Sequence, residues 1–339
     1  MTPDVSVIIL NYNGRRWLAA CLDSVVAQRD CPPFEVLLVD NGSSDGSPTW
    51  AAEHYRNVRV IENSENLGFA GGNNTGARLA RGAWLVFLNN DTVAEPDWLA
   101  RLSAAGREQG DRFPLITSRI ERLASPGVID SAGDGYLRAG GAYKRAHGAP
   151  ASGVLTSQEV FGACGAAFMI RRDLFEALGG FDDRFFMVYE DVDLSYRARL
   201  AGHRCWYAAD AIVRHAGSGT LGLASPSAVY YGQRNLEWTW LKNTPAGMLL
   251  RTLPAHVVYS AAGLAHYAVR GRGIAALRGK VAALLSLPEL LRRRRDVQRT
   301  RRIASGALDA VMDRGWLALK RREKSPRLDL SNQQDPTLR

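Results

Sequence analysis

The sequence predicts an α/β fold: a mostly parallel sheet with helices on both faces, followed by a helical, basic C-terminal extension. Three observations lead there. Short apolar runs alternate with stretches of helical periodicity through the first ninety residues, and each run ends in a cluster of Asn, Asp, Gly or Ser. A chain of 339 residues that is 46% hydrophobic can also bury a sizeable core. Strands alternating with helices form right-handed βαβ units, which cover a parallel sheet on both sides.

The elements follow in order. Residues 5–10 read as a buried strand, and residues 15–28 as a helix with Trp17, Leu18, Cys21, Leu22, Val25 and Val26 at helical spacing. "FEVLLVD" is a second strand, closed by the turn-rich "NGSSDGSP". A helix begins near Pro48, a third strand covers residues 58–61, and the Gly-rich "NLGFAGGNNTGARLARG" leads into another helix before a fourth strand, "AWLVFL". Residues 113–157 read as irregular strands and loops. "RRDLFEALGG" is a short helix ended by glycines. "EDVDLSYRARLAG" is another, with Glu190, Asp191 and Asp193 at its positive end. "HRCWYA" and "AIVRH" then read as two short strands, the second delivering His215 to its carboxyl end.

In open sheets of this kind ligands bind beyond the carboxyl ends of the strands. Four polar clusters sit there: Asn11-Tyr12-Asn13, Asp40 to Asp45, Asn66 to Asn74, and Asn89-Asn90-Asp91. Turns are made of the same residue types, but four such clusters at one sheet edge predict one shared site.

Charge and cysteine content narrow the class. A net charge of +9 points to anionic partners: a nucleoside diphosphate, an anionic membrane or a nucleic acid. Cys21, Cys31, Cys164 and Cys205 form no C-x-x-C pair, so neither a thiolate zinc site nor a disulfide scaffold is suggested, and a reduced cytoplasm fits best. The N-terminal apolar run is too short for a signal peptide or a spanning helix. From residue 230 the chain turns aromatic and basic, through "YYGQRNLEWTWLKN" and "LLSLPELLRRRRDVQRTRR". Apolar helix faces beside arginine clusters suggest a segment lying on an anionic membrane surface. The expected organisation is a catalytic domain over 1–229, a membrane- or acceptor-associating helical region over 230–327, and a disordered tail over 328–339.

Taken in order, "VSVIILNYNG", "VLLVDNGSSDGS", "ENLGFAGGNNTGARLARG", "LVFLNNDT", "GACGAAFMIRR", "FMVYEDVDLSYRARLAG" and "VRHAGSGT" resemble the successive motifs of family-2 inverting glycosyltransferases, closest to bacterial rhamnosyltransferase-like enzymes of surface-glycan synthesis. The resemblance covers about the first 220 residues and implies the GT-A nucleotide-diphospho-sugar transferase fold. It implies a nucleoside-diphosphate sugar donor, dTDP-rhamnose or a UDP-sugar, and a lipid-linked saccharide or polysaccharide acceptor. The work would be done at the inner face of a bacterial membrane.

By the same resemblance Asn11, Tyr12, Asn13, Asp40, Asn41, Asn66, Gly68, Asn73, Asn74, Asn89 and Asn90 belong to the nucleotide site. Asn89 lies at the ribose, while Asn41 and Asp45 shape the loop. Gly68, Gly71 and Gly72 would let backbone approach the ligand. Asp91 keeps the metal position of the family's Asp-x-Asp motif, here Asn89-Asn90-Asp91, and His215 resembles the distal metal histidine. The implied cofactor is Mn²⁺ or Mg²⁺, with imidazole favouring Mn²⁺. Asp191 takes the position of the general base, Glu190 that of a neighbouring positioning group, and Asp193 is structural. Cys164, Gly165 and Ala166 form a wall near the donor sugar, and Arg234 with Asn235 positions acceptor or docks the extension.

Other classes fit less of the chain. "GSGTLG" matches G-x-G-x-x-G but lacks the strand–turn–helix setting and downstream acid of a nicotinamide site. The arginine run could grip phosphates, yet no nucleic-acid module appears, so no nucleic-acid partner is expected. The metal motif lacks its first acid, and a sugar-nucleotide-binding protein without turnover is the remaining alternative.

Overall fold

The structure is a computed structural model that describes residues 3–217 and 225–315. Most of "GSGTLG", the end of the extension and the tail expected over 328–339 lie outside the described residues. In chain order the first half contains β1 (Val5–Asn11), α1 (Arg15–Val26), β2 (Phe34–Asp40), α2 (Ser47–His54), β3 (Val58–Glu62), α3 (Gly68–Leu79), β4 (Trp84–Asn89), β5 (Thr92–Ala94) and α4 (Trp98–Gln109). Next come β6 (Leu115–Arg122), β7 (Ser125–Ser131), β8 (Asp134–Tyr136), β9 (Ala142–Lys144), β10 (Gln158–Val160), β11 (Ala167–Arg171), α5 (Arg172–Ala177), α6 (Glu190–Leu200) and β12 (Cys205–His215). Five helices close the described chain: α7 (Pro226–Asn243), α8 (Ala246–Ala268), α9 (Gly273–Leu285), α10 (Leu287–Arg299) and α11 (Ser305–Ala310).

The main sheet runs β10-β12-β6-β11-β4-β1-β2-β3, with β5 added to β12 and β7 to β6. Its long strands β1 to β4, β6 and β12 share one direction, and β11 lies antiparallel between β4 and β6. β1 reads as a continuous apolar run because both faces are covered. Val5, Val7 and Ile9 pack with α1 and α4, whereas Ile8 joins the opposite cluster with α3, α5 and Leu194 of α6.

Register brings the polar clusters together. Asn11 pairs with Asp40, and Leu10 with Asn89, so three strands end at one edge. β11 begins opposite Leu88, which returns residues 162–166 to that edge. β5 runs back along β12 with Thr92 opposite His215, laying the residue after Asp91 beside the histidine.

The structure departs from expectation in three places. The stretch taken as irregular contributes β6, an interior strand between β11 and β12; its run "LITSRIER" carries buried polar residues Thr117, Ser118 and Glu121, which hid its apolar signal. The two short strands before His215 are one strand, with a register shift between Ala208 and Ile212 where a bulge absorbs the extra residues. The aromatic stretch after 230 is not laid open to a surface. The expected division between residues 229 and 230 falls inside α7, whose Trp238 and Trp240 are buried.

Candidate active site

The strand ends are tied by amide and carboxylate groups rather than by apolar contact. Asn11 is fully buried and donates to Asp40 Oδ1 (2.8 Å) and Ser47 Oγ (2.7 Å), while its own oxygen accepts from Asn90 (2.7 Å). Asp40 also accepts from the Ser43 hydroxyl and backbone N–H. A carboxylate offers about four lone-pair sites, so Asp40 keeps capacity for a ligand donor. Asp45 accepts from the backbone of Arg15 and Ser47, shaping the loop as expected. Asn13 is exposed, holds a positive φ and binds the backbone of Ser44, with the partly exposed Tyr12 beside it.

Four residues grouped with this site have inward roles. Asn41 donates to Asn66 and to the Gly68 carbonyl and accepts from Asn63, which pins the start of α3. Asn73 donates to the carbonyl of Phe69, and Asn74 uses both ends of its amide on Phe181. The glycines of α3 admit close protein packing: a Cβ on Gly72 would lie 2.3 Å from Leu10, and one on Gly71 2.8 Å from Leu67. Gly68 has φ +72°, and its Cβ would lie 2.4 Å from the carbonyl oxygen of Phe186.

Asp91 and His215, 124 positions apart, meet. His215 Nε2 is 3.1 Å from Asp91 Oδ1, and Nδ1 is 2.9 Å from Asp130 Oδ2, all three side chains being buried. Asn89 turns its amide toward His215 Nε2, at 3.4 Å. Burial would lower the His215 pKa, but hydrogen bonds to Asp130 and Asp91 outweigh it and push it up to about 9. Asp130 also holds Lys144 Nζ at 2.7 Å and His147. Burial opposes its ionisation, yet these partners depress its carboxyl far below the usual range.

Glu190 and Asp191 start α6. The Asp191 carboxylate is fixed by the backbone N–H of Gly165 (2.6 Å) and of Val192 (2.8 Å), and remains partly exposed. Gly165 is required by this contact, since a Cβ there would stand 2.9 Å from Asp191 Oδ2. Burial raises the Asp191 pKa, and the two backbone hydrogen bonds oppose it. Burial and then the charge of Asp191 raise Glu190 well above the ordinary glutamate value. Asp193 points away, into a buried network with Lys242 (2.8 Å), Arg197 (2.8 Å) and Asn243 (2.9 Å). Cys164 and Ala166 are buried, and the Ala166 carbonyl accepts from the backbone of Asn89.

Sequence reasoning missed Asp130, Asp134 and Lys144. Carboxylate oxygens of Asp134 and Asp191 and the sulfur of Cys164 lie within 4.8 Å of one another. The stretch 113–157 contains only three acids, Glu121, Asp130 and Asp134, and that sparseness was the available signal.

Arg234, grouped with the donor and acceptor pocket, braces the loop that precedes α6. Its guanidinium stacks on Trp238 and Tyr231 and donates to the carbonyls of Arg184 (2.6 Å) and Phe185 (3.2 Å). Asn235, fully buried, donates to the carbonyls of Phe185, Met187 and Val188 at 2.7–2.9 Å. The Phe186 carbonyl accepts from Phe69 and Ala70 of α3. All five consecutive carbonyls from Arg184 to Val188 are therefore held, in the segment that leads directly into Glu190 and Asp191.

A family model described as "Glycosyl transferase family 2" matches residues 6–179. The chain belongs to glycosyl transferase family 2. This glycosyltransferase is 30% identical over 253 residues to the O-antigen biosynthesis protein RfbC of Myxococcus xanthus, covering 71% of the chain but only 19% of that much longer protein. It is 31% identical over 245 residues to the N-acetylglucosaminyl-diphospho-decaprenol L-rhamnosyltransferase of Mycobacterium tuberculosis, covering 63% of the chain and 76% of the relative. Among solved structures it resembles residues 1–349 of S. aureus TarS, with TM-score 0.55, 18% identity and coverage of 87% and 89%. It also resembles the mannosyltransferase PcManGT from Pyrobaculum calidifontis, with TM-score 0.51, 21% identity and coverage of 88% and 85%. These likenesses establish the GT-A architecture of the transferase. The family match ends before Asp191 and His215, so their placement rests on the geometry above.

Proposed function

We propose that the transferase moves a sugar from a nucleoside diphosphate, dTDP-rhamnose or a UDP-sugar, to a hydroxyl of a lipid-linked or polysaccharide acceptor with inversion. The observation that carries this reading is the fixed carboxylate of Asp191, aimed by two backbone N–H groups and left partly exposed, with Lys144, the partner of Asp130, near enough for its charge to act on it. The acceptor oxygen attacks the anomeric carbon, the bond from that carbon to the diphosphate oxygen breaks, and the hydroxyl proton passes to Asp191. The nucleoside diphosphate leaves with the bonding electron pair. Asn11 and Asp40 lie where base and ribose would be held, with Asn13, Asn89 and Asn90 around them. Asn41, Asn66, Asn73 and Asn74 support that wall from behind.

Asp91 and His215 suit a divalent cation. One hard oxygen and one imidazole nitrogen converge, and Asp130 aligns the ring from its far side, the arrangement that metal-ligating histidines generally require. A bound Mn²⁺ or Mg²⁺ would supply charge to offset the departing diphosphate.

The name of the mycobacterial relative specifies a polyprenyl-linked acceptor, which supports a membrane-bound substrate here. Leu250, Leu253 and Val257 follow one stripe of α8, and Ile274, Leu277, Val281 and Leu284 one stripe of α9; all seven are exposed. Arg251, Arg270, Arg272 and Arg278 stand exposed on or beside these helices. Apolar stripes flanked by arginine favour peripheral binding to an anionic leaflet, and no described helix is long and apolar enough to cross a membrane. The reading places the protein at the inner face of a bacterial plasma membrane.

The test is transfer with dTDP-rhamnose and UDP-sugars, with and without Mn²⁺, followed by the anomeric configuration of the product. A product that keeps the donor's configuration would sink the single-displacement mechanism.

A further inference from the structure

Two carboxylate oxygens in the pocket have no partner among the described residues. Asp134 Oδ1 and Glu190 Oε2 are both sealed from water and make no hydrogen bond, and each residue is only 6% exposed. Leaving such a group unsatisfied costs about 1–3 kcal/mol, more when it is charged, and native structures keep few of them without a reason. The two flank Asp191 differently. Glu190 is its chain neighbour, whereas Asp134 comes from β8, held by paired backbone bonds with Gly162.

The spacing identifies what Asp134 is waiting for. A carboxylate oxygen of Asp134 lies within 4.8 Å of one on Asp191 and of Cys164 Sγ, close enough for neighbouring small polar groups of one ligand to reach both acids. A hydroxyl oxygen stands about 2.7 Å from the oxygen it binds, so two adjacent hydroxyls of one sugar ring can engage two acids this close together. A hydroxyl also both donates and accepts, so it satisfies Asp134 whether that buried carboxyl is ionised or protonated. Lys144 stands close enough for its charge to act on both Asp134 and Asp191, which moderates the repulsion between them.

We propose that Asp134 is an acceptor ligand: it binds the hydroxyl next to the one Asp191 deprotonates, so that the enzyme selects a sugar acceptor presenting two neighbouring hydroxyls. The assignment rests on the transferase reading and deepens it. Asp191 senses the nucleophile; Asp134 senses its neighbour and fixes which oxygen of the ring is attacked.

The experiment uses the full chain, the nucleotide sugar it hydrolyses fastest, and octyl glycosides of N-acetylglucosamine, glucose, galactose, mannose and rhamnose. Each glycoside is paired with its monodeoxy derivatives. For the preferred glycoside, removing the attacked hydroxyl abolishes transfer, and removing one adjacent hydroxyl is expected to lower kcat/KM at least tenfold. In Asp134→Asn and Asp134→Ala that parent-to-deoxy ratio collapses toward one, whatever the overall rate. A ratio that persists in both variants overturns the assignment, as does a wild-type enzyme indifferent to every adjacent hydroxyl. Transfer to none of the glycosides while donor hydrolysis continues also overturns it. Absence of hydrolysis and transfer together would instead strike the transferase reading itself.

Discussion

At the scale of single residues, the chemistry depends on where one carboxylate is held. Asp191→Asn keeps the shape and removes the base, and general-base catalysis is typically worth about 10²–10⁴-fold. Transfer should fall by that factor while nucleotide binding, followed by thermal shift, stays close to wild type. Gly165→Ala is the finer probe. Its new methyl would stand 2.9 Å from Asp191 Oδ2, so kcat should drop with little change in melting temperature. Asp193 shows the opposite use of the same residue type. Burial would raise its pKa, but Lys242 and Arg197 pull it down to about 2, below the unfolded value of about 3.9. Its stabilising contribution is therefore complete above the unfolded pKa and is lost as pH falls through the folded one. Lys242→Met should cost about 3–5 kcal/mol in urea unfolding and move acid unfolding to higher pH. The three acids of "EDVD" were legible together, and the family resemblance set Asp193 apart as structural, but their spacing alone carried no reason for that division. That division is decided by Lys242 and Asn243, about fifty positions away.

At the scale of elements, the readable parts were those whose signal is local. β1 to β4 announce themselves as apolar runs with polar ends, and the pairing of Asn11 with Asp40 follows once those strands lie parallel. β6 to β9 were unreadable because their polar residues are satisfied by distant partners: Asp130 reaches His215 across 85 positions, and neither flank carries a periodic pattern. The loop before α6 belongs to the same class. Phe186, Val188 and Tyr189 all have positive φ, a costly conformation for bulky residues, and Asn235 is what over-determines it. Asn235→Ala removes the one amide that donates to three carbonyls of the loop. It should lower the melting temperature and reduce transfer more than donor binding, because the base moves while the nucleotide edge does not. Equal losses in both would show that the loop does not set the position of Asp191.

At the scale of the whole molecule, the arginine run of α10 divides in two. Arg293 binds Asp182 (2.9 Å), and Arg294 donates to the carbonyls of Leu241 and Thr244, leaving Arg292 and Arg295 exposed. Membrane binding should thus depend on the stripes of α8 and α9 more than on this run. Replacing Leu250, Val257, Ile274 and Leu284 by Ser should release the protein from anionic vesicles without unfolding it, as read by flotation and circular dichroism. Unchanged flotation would count against the membrane surface. Asp91→Asn or His215→Ala should raise the Mn²⁺ concentration needed for half-maximal transfer, measured by titration. The clamp of Arg234 and Asn235 on the carbonyls of residues 184, 185, 187 and 188 has a further consequence for how such proteins can be recombined. A chimera that exchanges the C-terminal helices of two relatives while leaving each its own loop would separate a lock from its key; loop and helix must travel together for the hybrid to remain a catalyst.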